Sequence, residues 1–241
     1  MVLIDARSQD YKTLNQRILA VKGDVTLTGC MGQRFIATGA SEFSVTVKDG
    51  IPGNALGAYL NGATVTVMGN AQDAVGDTMN HGRIVIHGNV GDAVGYAMRG
   101  GEIYVKGDAG YRAGIHMKEY NEKRPVLVIG GKCGSFLGEY QAGGIIIVLG
   151  LEEDGRRIVN NFPCTGMHGG KVFLRTAEPG INLSPGVTAS PATEEDLEDI
   201  RPYVEAFCAY FGYDPAFVLG HPFTKIVPDS HNPYKQMYVA N

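Results

Sequence analysis

The sequence predicts an all-β protein: a right-handed parallel β-helix, a single-stranded solenoid of about seven coils, with short helical caps at both ends. Three observations lead there. Glycine supplies 34 of 241 residues, about twice its average share, while only 11 prolines and a 44% hydrophobic content exclude collagen and a disordered glycine-rich chain. A G-x-x-G-x-x-x-G pattern recurs at a fixed interval through the middle of the chain. Short β-branched runs recur between the glycine clusters at the same interval, as strands do.

Taken in order, residues 8–21 carry Tyr11, Leu14 and Ile18 at helical spacing and run into Gly23. That pattern predicts a short amphipathic helix within an N-terminal cap of residues 1–23. The solenoid should then occupy residues 24–180. Its repeat reads Gly50/Gly53/Gly57, Gly88/Gly91/Gly95, Gly107/Gly110/Gly114 and Gly131/Gly134/Gly138, and the copy Gly69/Gln72/Gly76 lacks only the middle glycine. First glycines at 50, 69, 88, 107 and 131 set a period of 19 with one five-residue insertion. A degenerate copy, Gly29/Gly32/Ile36, precedes the array and Gly150 follows it.

The predicted strands are 64–67, 84–86, 103–105, 126–129, 145–148 and 171–174. Aligned by the period, Val65, Ile84, Ile103, Leu127 and Ile146 form one column, and Val67, Ile86, Val105, Ile129 and Val148 a second, two residues on. Two residues apart is one face of a strand. A single repeat cannot bury that face, so the coils must stack at about 4.8 Å each. The crossover rule selects the right-handed coil. In such a column the glycines serve the backbone, through positive φ at corners and close approach of successive coils. A phosphate-cradling loop would instead occur once and lead into a helix.

Residues 181–241 should form C-terminal helices and an extended arm. Thr193 before Glu194-Glu195-Asp196 reads as an N-cap, and Leu197, Ile200, Val204 and Phe207 form an apolar face ending before Gly212. Pro202 is expected to kink or split that helix, and a second helix to begin at Asp214-Pro215. The tail from His221 onward, with Phe223, Tyr234 and Tyr238, looks like an arm laid on another surface.

Several function classes are disfavoured by composition. With 21 Lys+Arg against 25 Asp+Glu and no charge run, there is no electrostatic footprint for nucleic acid or an anionic membrane. The longest apolar run, Ile145 to Leu149, is far below a membrane span, and no secretory leader is evident, which predicts a cytoplasmic protein. Cys30, Cys133, Cys164 and Cys208 lack C-x-x-C spacing, so reduced thiols are expected rather than a zinc or iron–sulfur site. The six histidines show neither ligand spacing nor a nucleophile partner.

Two ladders invite chemical readings. Leu60, Met79, Met98 and Met117, with Met167 in a similar setting, could hold a soft metal ion, but Met is a common core filler and packing is the favoured reading. Asn54, Asp73 and Asp92 would place carboxylates on neighbouring coils for acid–base work or calcium, yet Asn and Asp also favour turns. The insertion at 115–124 and the aromatic tail break the repeat. His116, Lys118, Tyr120, Phe223 and Tyr234 are therefore the candidate partner interface, the coil flanks being polar through Thr64, Thr66, Arg83 and Lys106.

The segments Gly-Asn-Ala-Gln-Asp-Ala-Val-Gly (69–76), Gly-Tyr-Ala-Met-Arg-Gly-Gly (95–101), Gly-Ile-His-Met-Lys-Glu-Tyr (114–120) and Gly-Glu-Tyr-Gln-Ala-Gly-Gly (138–144) closely resemble the G-x-x-G-x-x-x-G domain of glutamate synthase. Ile4-Asp5-Ala6 with Leu14-Asn15 resembles the opening of its stand-alone archaeal-type form, and Phe223-x-Lys225-Ile226-x-Pro228 the closing segment. The glycine-repeat subunit of formylmethanofuran dehydrogenase is similar in its repeats. The resemblance implies a non-catalytic scaffold that braces a glutaminase-type subunit against an FMN- and iron–sulfur-bearing synthase-type subunit. It implies no catalytic residue, metal or cofactor on this chain, and leaves homo-oligomerisation of the isolated chain open. The competing class is an independent β-helix enzyme acting on carbohydrate, which would need convergent acidic and basic groups along a groove.

Overall fold

The computed structural model describes residues 2–21, 23–152, 154–177, 180 and 182–229. The chain opens with β1 (Val2–Asp5) and α1 (Tyr11–Ala20) and continues through β2 (Val25–Thr28), β3 (Cys30–Met31), β4 (Ser44–Val47), β5 (Gly50–Ile51) and β6 (Asn61–Val67). Next come β7 (His81–Ile86), β8 (Glu102–Val105), β9 (Val126–Ile129), β10 (Ala142–Val148) and β11 (Gly169–Leu174). After β12 (Val187–Pro191), α2 (Glu194–Phe211) and α3 (Pro215–Leu219), β13 (Thr224–Pro228) ends the described fold. One sheet runs β1-β2-β4-β6-β7-β8-β9-β10-β11-β13-β12, parallel as far as β11. The result is a β-solenoid of about seven coils.

The predicted columns are the observed register. Val65 faces Ile84, Ile103, Leu127 and Ile146 in succession, and Val67 faces Ile86, Val105, Ile129 and Val148. All of these side chains are buried. A second, narrower wall is built by β3 with β5 and then by single bridges from Ala71 to Val90, Ala109, Cys133 and Val159. The coil closes through an arc in which alternate residues adopt positive φ, as at Ala93, Gly95 and Ala97 or Phe136, Gly138 and Tyr140. Between them Leu56, Val75, Val94 and Leu137 point into the core and are fully buried. Met79, Met98 and Met117 are likewise buried, so the methionine ladder is packing.

The motif glycines divide by role, and only some are the positive-φ corners expected. The last glycine of each copy, at Gly57, Gly76, Gly95, Gly114 and Gly138, takes the left-handed conformation with φ between +63° and +70°. At Gly57, Gly76 and Gly114 a Cβ would also overlap the Cδ1 of Ile84, Ile103 and Ile146 on the facing wall. The middle glycines Gly53, Gly91, Gly110 and Gly134 have no positive φ, so the corner reading is corrected for them. Each is glycine because the preceding coil fills the place of its Cβ. At Gly53 and Gly134 the obstacle is backbone, of Gly32 and Gly110; at Gly91 and Gly110 it is Oδ1 of Asp73 and Asp92. The first glycines Gly88, Gly107 and Gly131 yield in the same way to Oδ1 of Asn70, Asn89 and Asp108, and Gly50 to the Cys30 backbone, whereas nothing crowds Gly69.

The intruding oxygens are bonded. Asp73 Oδ1 accepts the Asp92 N–H at 2.9 Å, and Asp92 Oδ1 accepts the Tyr111 N–H at 2.8 Å. A parallel ladder links Asn70, Asn89, Asp108 and Lys132 through bonds of 2.8 Å each. The Asx side chains stitch coil to coil, satisfying turn donors that the sheet does not reach.

The ends differ from expectation in instructive ways. Asp10 caps α1 by accepting from the Lys12 and Thr13 amides, and Leu14 and Ile18 close the core. The N-terminal segment also contributes β1, which pairs with β2, so it extends the sheet as well as capping it. At the other end α2 is one unbroken helix through Pro202, held by a Thr193–Asp196 capping box. Its apolar face lies on the outer surface of the sheet, where Tyr104, Val128, Ile147 and Phe173 meet Ile200, Val204 and Phe207. Packing on both sides of Pro202 holds the helix despite the missing N–H. The segment beyond α3 is no free arm as far as it is described: β13 pairs antiparallel with both β11 and β12. Tyr234 and Tyr238 lie outside the described residues.

Candidate functional site

Groups that could do chemistry in this chain are largely held in structural bonds. Asp73 and Asp92 accept backbone amides of the following coil. All four cysteines are buried and free of disulfides, and burial pushes the Cys30 and Cys208 thiols up to about 11. Among the described residues no group of three or more His, Cys, Asp or Glu is placed to hold a metal ion, and no helix is long and apolar enough to cross a membrane.

A cleft of about 430 Å³ lies between the outer sheet face, the insertion and α2, lined among others by His81, Arg83, Glu102, Lys123 and Arg124. Of its two carboxylates, Glu102 and Glu122, Glu102 is already engaged: it accepts from Arg83 at 2.7 and 2.9 Å and from the Tyr104 hydroxyl at 2.9 Å. Burial, with Glu102 beside it, pushes the Tyr104 phenol far above its ordinary range. Arg124 turns to Asp199 at 2.9 Å and Tyr203 at 3.2 Å on α2. Part of the insertion is thereby bound to the chain's own helix.

The candidate interface residues separate accordingly. His116, Lys118 and Tyr120 are exposed. Phe223 is not: it is 4% exposed and packs in the core between α2 and the sheet. It precedes β13, whose pairing draws it inward, so the reading of Phe223 as an exposed anchor is corrected. The coil flank is also not uniformly polar. From Val85 onward the outer sheet face turns apolar and α2 covers it.

A surface that sequence reasoning reached only at His116 lies on the regular arc itself. Tyr59, Tyr96, Tyr140 and Phe162 are 38–58% exposed there. The His116 ring stacks on Tyr140 at 5.2 Å and meets Tyr96 edge-on at 6.0 Å, and Phe136 stacks on Phe162 at 5.3 Å. Tyr59, His116, Phe136, Tyr140 and Phe162 all have φ between 53° and 64°. A side chain in that conformation costs roughly 1–2 kcal/mol, and glycine would avoid it. Exposed rings at strained positions are disfavoured twice, which marks a surface kept for contact. The signal was present in sequence as bulky residues two positions from the last motif glycine at Tyr59, His116, Phe136 and Tyr140, and from Cys164 in that place at Phe162. Reading it requires knowing that those positions are left-handed.

Comparison with known proteins agrees with this architecture. The chain is 46% identical over 253 aligned residues to the uncharacterized protein MJ1350 of Methanocaldococcus jannaschii, an alignment spanning all of this chain and 97% of that protein. Its fold is similar to a chain in the X-ray structure of the formyltransferase/hydrolase complex (FhcABCD) from Methylorubrum extorquens in complex with methylofuran. That match has a TM-score of 0.61 at 22% identity and covers 85% of this chain and 78% of the other. Residues 8–230 match the GXGXG motif, and the chain belongs to the GXGXG motif family.

Proposed function

We propose that this chain is a non-catalytic scaffold subunit of a glutamate synthase-type assembly in the cytoplasm. It braces a glutaminase-type subunit against an FMN- and iron–sulfur-bearing synthase-type subunit, which together convert glutamine and 2-oxoglutarate to glutamate, and it holds no cofactor itself. The observation that carries the scaffold role is the division of labour among side chains. Acidic ladders and thiols are committed to coil stacking and core, whereas strained, exposed rings remain on one face. The glutamate synthase setting draws on the motif family and on the resemblance of the opening and closing segments.

A second reading keeps the scaffold role but makes the chain the glycine-repeat component of a formylmethanofuran dehydrogenase-type assembly. The same fold inside FhcABCD favours it. The test is to tag the chain in its native cell, purify what it carries, and assay glutamate formation from glutamine and 2-oxoglutarate. Activity with a flavin spectrum supports the first reading; formylmethanofuran oxidation or formyl transfer without glutaminase activity supports the second. A chain that purifies alone defeats both.

A further inference from the structure

Resting on the subunit reading, we infer that the aromatic arc docks a partner subunit through an acidic surface of that partner, which sets carboxylates against Arg99 and Lys118 while an apolar side chain covers the Tyr96–His116–Tyr140 rings. Arg99 and Lys118 are equivalent positions one period apart. Their coils are stacked directly, the Arg99 amide bonding Met79 and the Lys118 amide bonding Met98, which puts the two side chains at neighbouring sites about 4.8 Å apart along the column. Both are exposed. Among the described residues no hydrogen bond or ion pair engages either side chain, whereas the nearby Arg112 is matched by Glu139 at 3.0 Å.

Arg99 and Lys118 lie outside the strands, and two like charges on neighbouring coils repel each other. Glu119, next in sequence to Lys118, does not relieve them: its Oε1 accepts the Gly144 N–H at 3.0 Å. This cationic pair belongs to a chain of net charge −4, so it is a local feature and not an overflow of composition. It edges the His116–Tyr140 stack, which starts two residues before Lys118. A central apolar anchor with a charged rim is the ordinary anatomy of a specific interface, and the rim charge dictates the partner's sign.

The assembly purified with tagged wild-type chain is treated with a carbodiimide, which joins an ammonium to a carboxylate only at ion-pair distance. Lys118 should be linked to an Asp or Glu of the partner chain. In parallel, Arg99→Glu with Lys118→Glu should weaken partner retention by about tenfold or more, with melting of the isolated chain unchanged; Arg99→Gln with Lys118→Gln should give a smaller loss. Full retention by the reversed variant, or bound partner with no link from Lys118, overturns the acidic contact and leaves the subunit reading standing. A wild-type chain that carries no stoichiometric partner defeats both. Dimerisation of the isolated chain that the reversed variant abolishes makes the occupant a second copy, and overturns the proposal.

Discussion

Gly91→Ala tests why the motif needs glycine where φ is ordinary. The added methyl would overlap Asp73 Oδ1, with Asp73 N 3.2 Å away and tight. The carboxylate must swing out, breaking the 2.9 Å bond to the Asp92 amide. A hydrogen bond to a charged acceptor is worth about 1.5 kcal/mol at the low end of its range, and overpacking adds about 1–3 kcal/mol. The sum is about 3 kcal/mol, or roughly 6–12 °C in Tm for a chain of this size. Asp73→Ala alone should cost only the bond, about 1.5 kcal/mol. Because the overlap is with the Asp73 side chain, Asp73→Ala with Gly91→Ala should cost little more than Asp73→Ala, a coupling of about 2–3 kcal/mol. Urea unfolding of the four proteins measures it. Strict additivity would refute the steric reasoning and return the cost to the backbone.

Gly95→Ala should behave differently. At φ +70° its nearest neighbour would be Leu127 Cδ2 at 3.7 Å, so the left-handed penalty of about 1 kcal/mol is the whole cost and Gly95→Asn should cost less. Melting curves that rank Gly95→Ala level with Gly91→Ala would contradict this division. Tyr59 is 55% exposed at φ +55°, so Tyr59→Gly should raise the Tm of the isolated chain by a few degrees, relieving about 1 kcal/mol of strain; a clear drop would mean the ring packs usefully. In the C-terminal cap, burial works to raise the Asp196 pKa, but the Lys225 bond at 2.6 Å and the Thr193 bonds outweigh it and hold the carboxyl below its usual value. Its contribution is therefore full above the unfolded carboxylate pKa of about 4 and is lost as pH falls through the lower folded value. Asp196→Asn should flatten the acid limb of stability against pH, and an unchanged limb would assign it elsewhere.

Much of the column is readable because a period of 19 repeats every side-chain environment. Val65 and Ile84 can be paired from the period alone, since stacking identical faces is the only way such short runs are buried. The period does not separate the glycines, however: Gly110 and Gly114 recur equally well, yet Asp92 Oδ1 demands the first and a left-handed φ the second. What escaped was set by single events. Val2–Asp5 forms a strand only because β2 lies beside it, and four residues carry no period. Local propensity would break α2 at Pro202, whereas the helix is held by the apolar face it covers. Phe223 reads as an exposed anchor because the antiparallel turn-back of β13 is a long-range pairing. The aromatic arc is hidden for a subtler reason. Its rings sit where sequence logic expects glycine or asparagine, so Tyr140 and Phe162 read as incidental until their φ values of 53° and 58° place them on one strained face.

Whether the solenoid acts by holding other subunits together can be decided by native mass spectrometry of the complex purified, untagged at the arc, from its own cell. The scaffold role requires a discrete mass in which this chain is joined in fixed ratio to separate subunits, with the flavin and iron–sulfur cluster released from those subunits and none from this one. A spectrum in which this chain runs alone, or in which it carries the cofactor itself, would contradict the scaffold role.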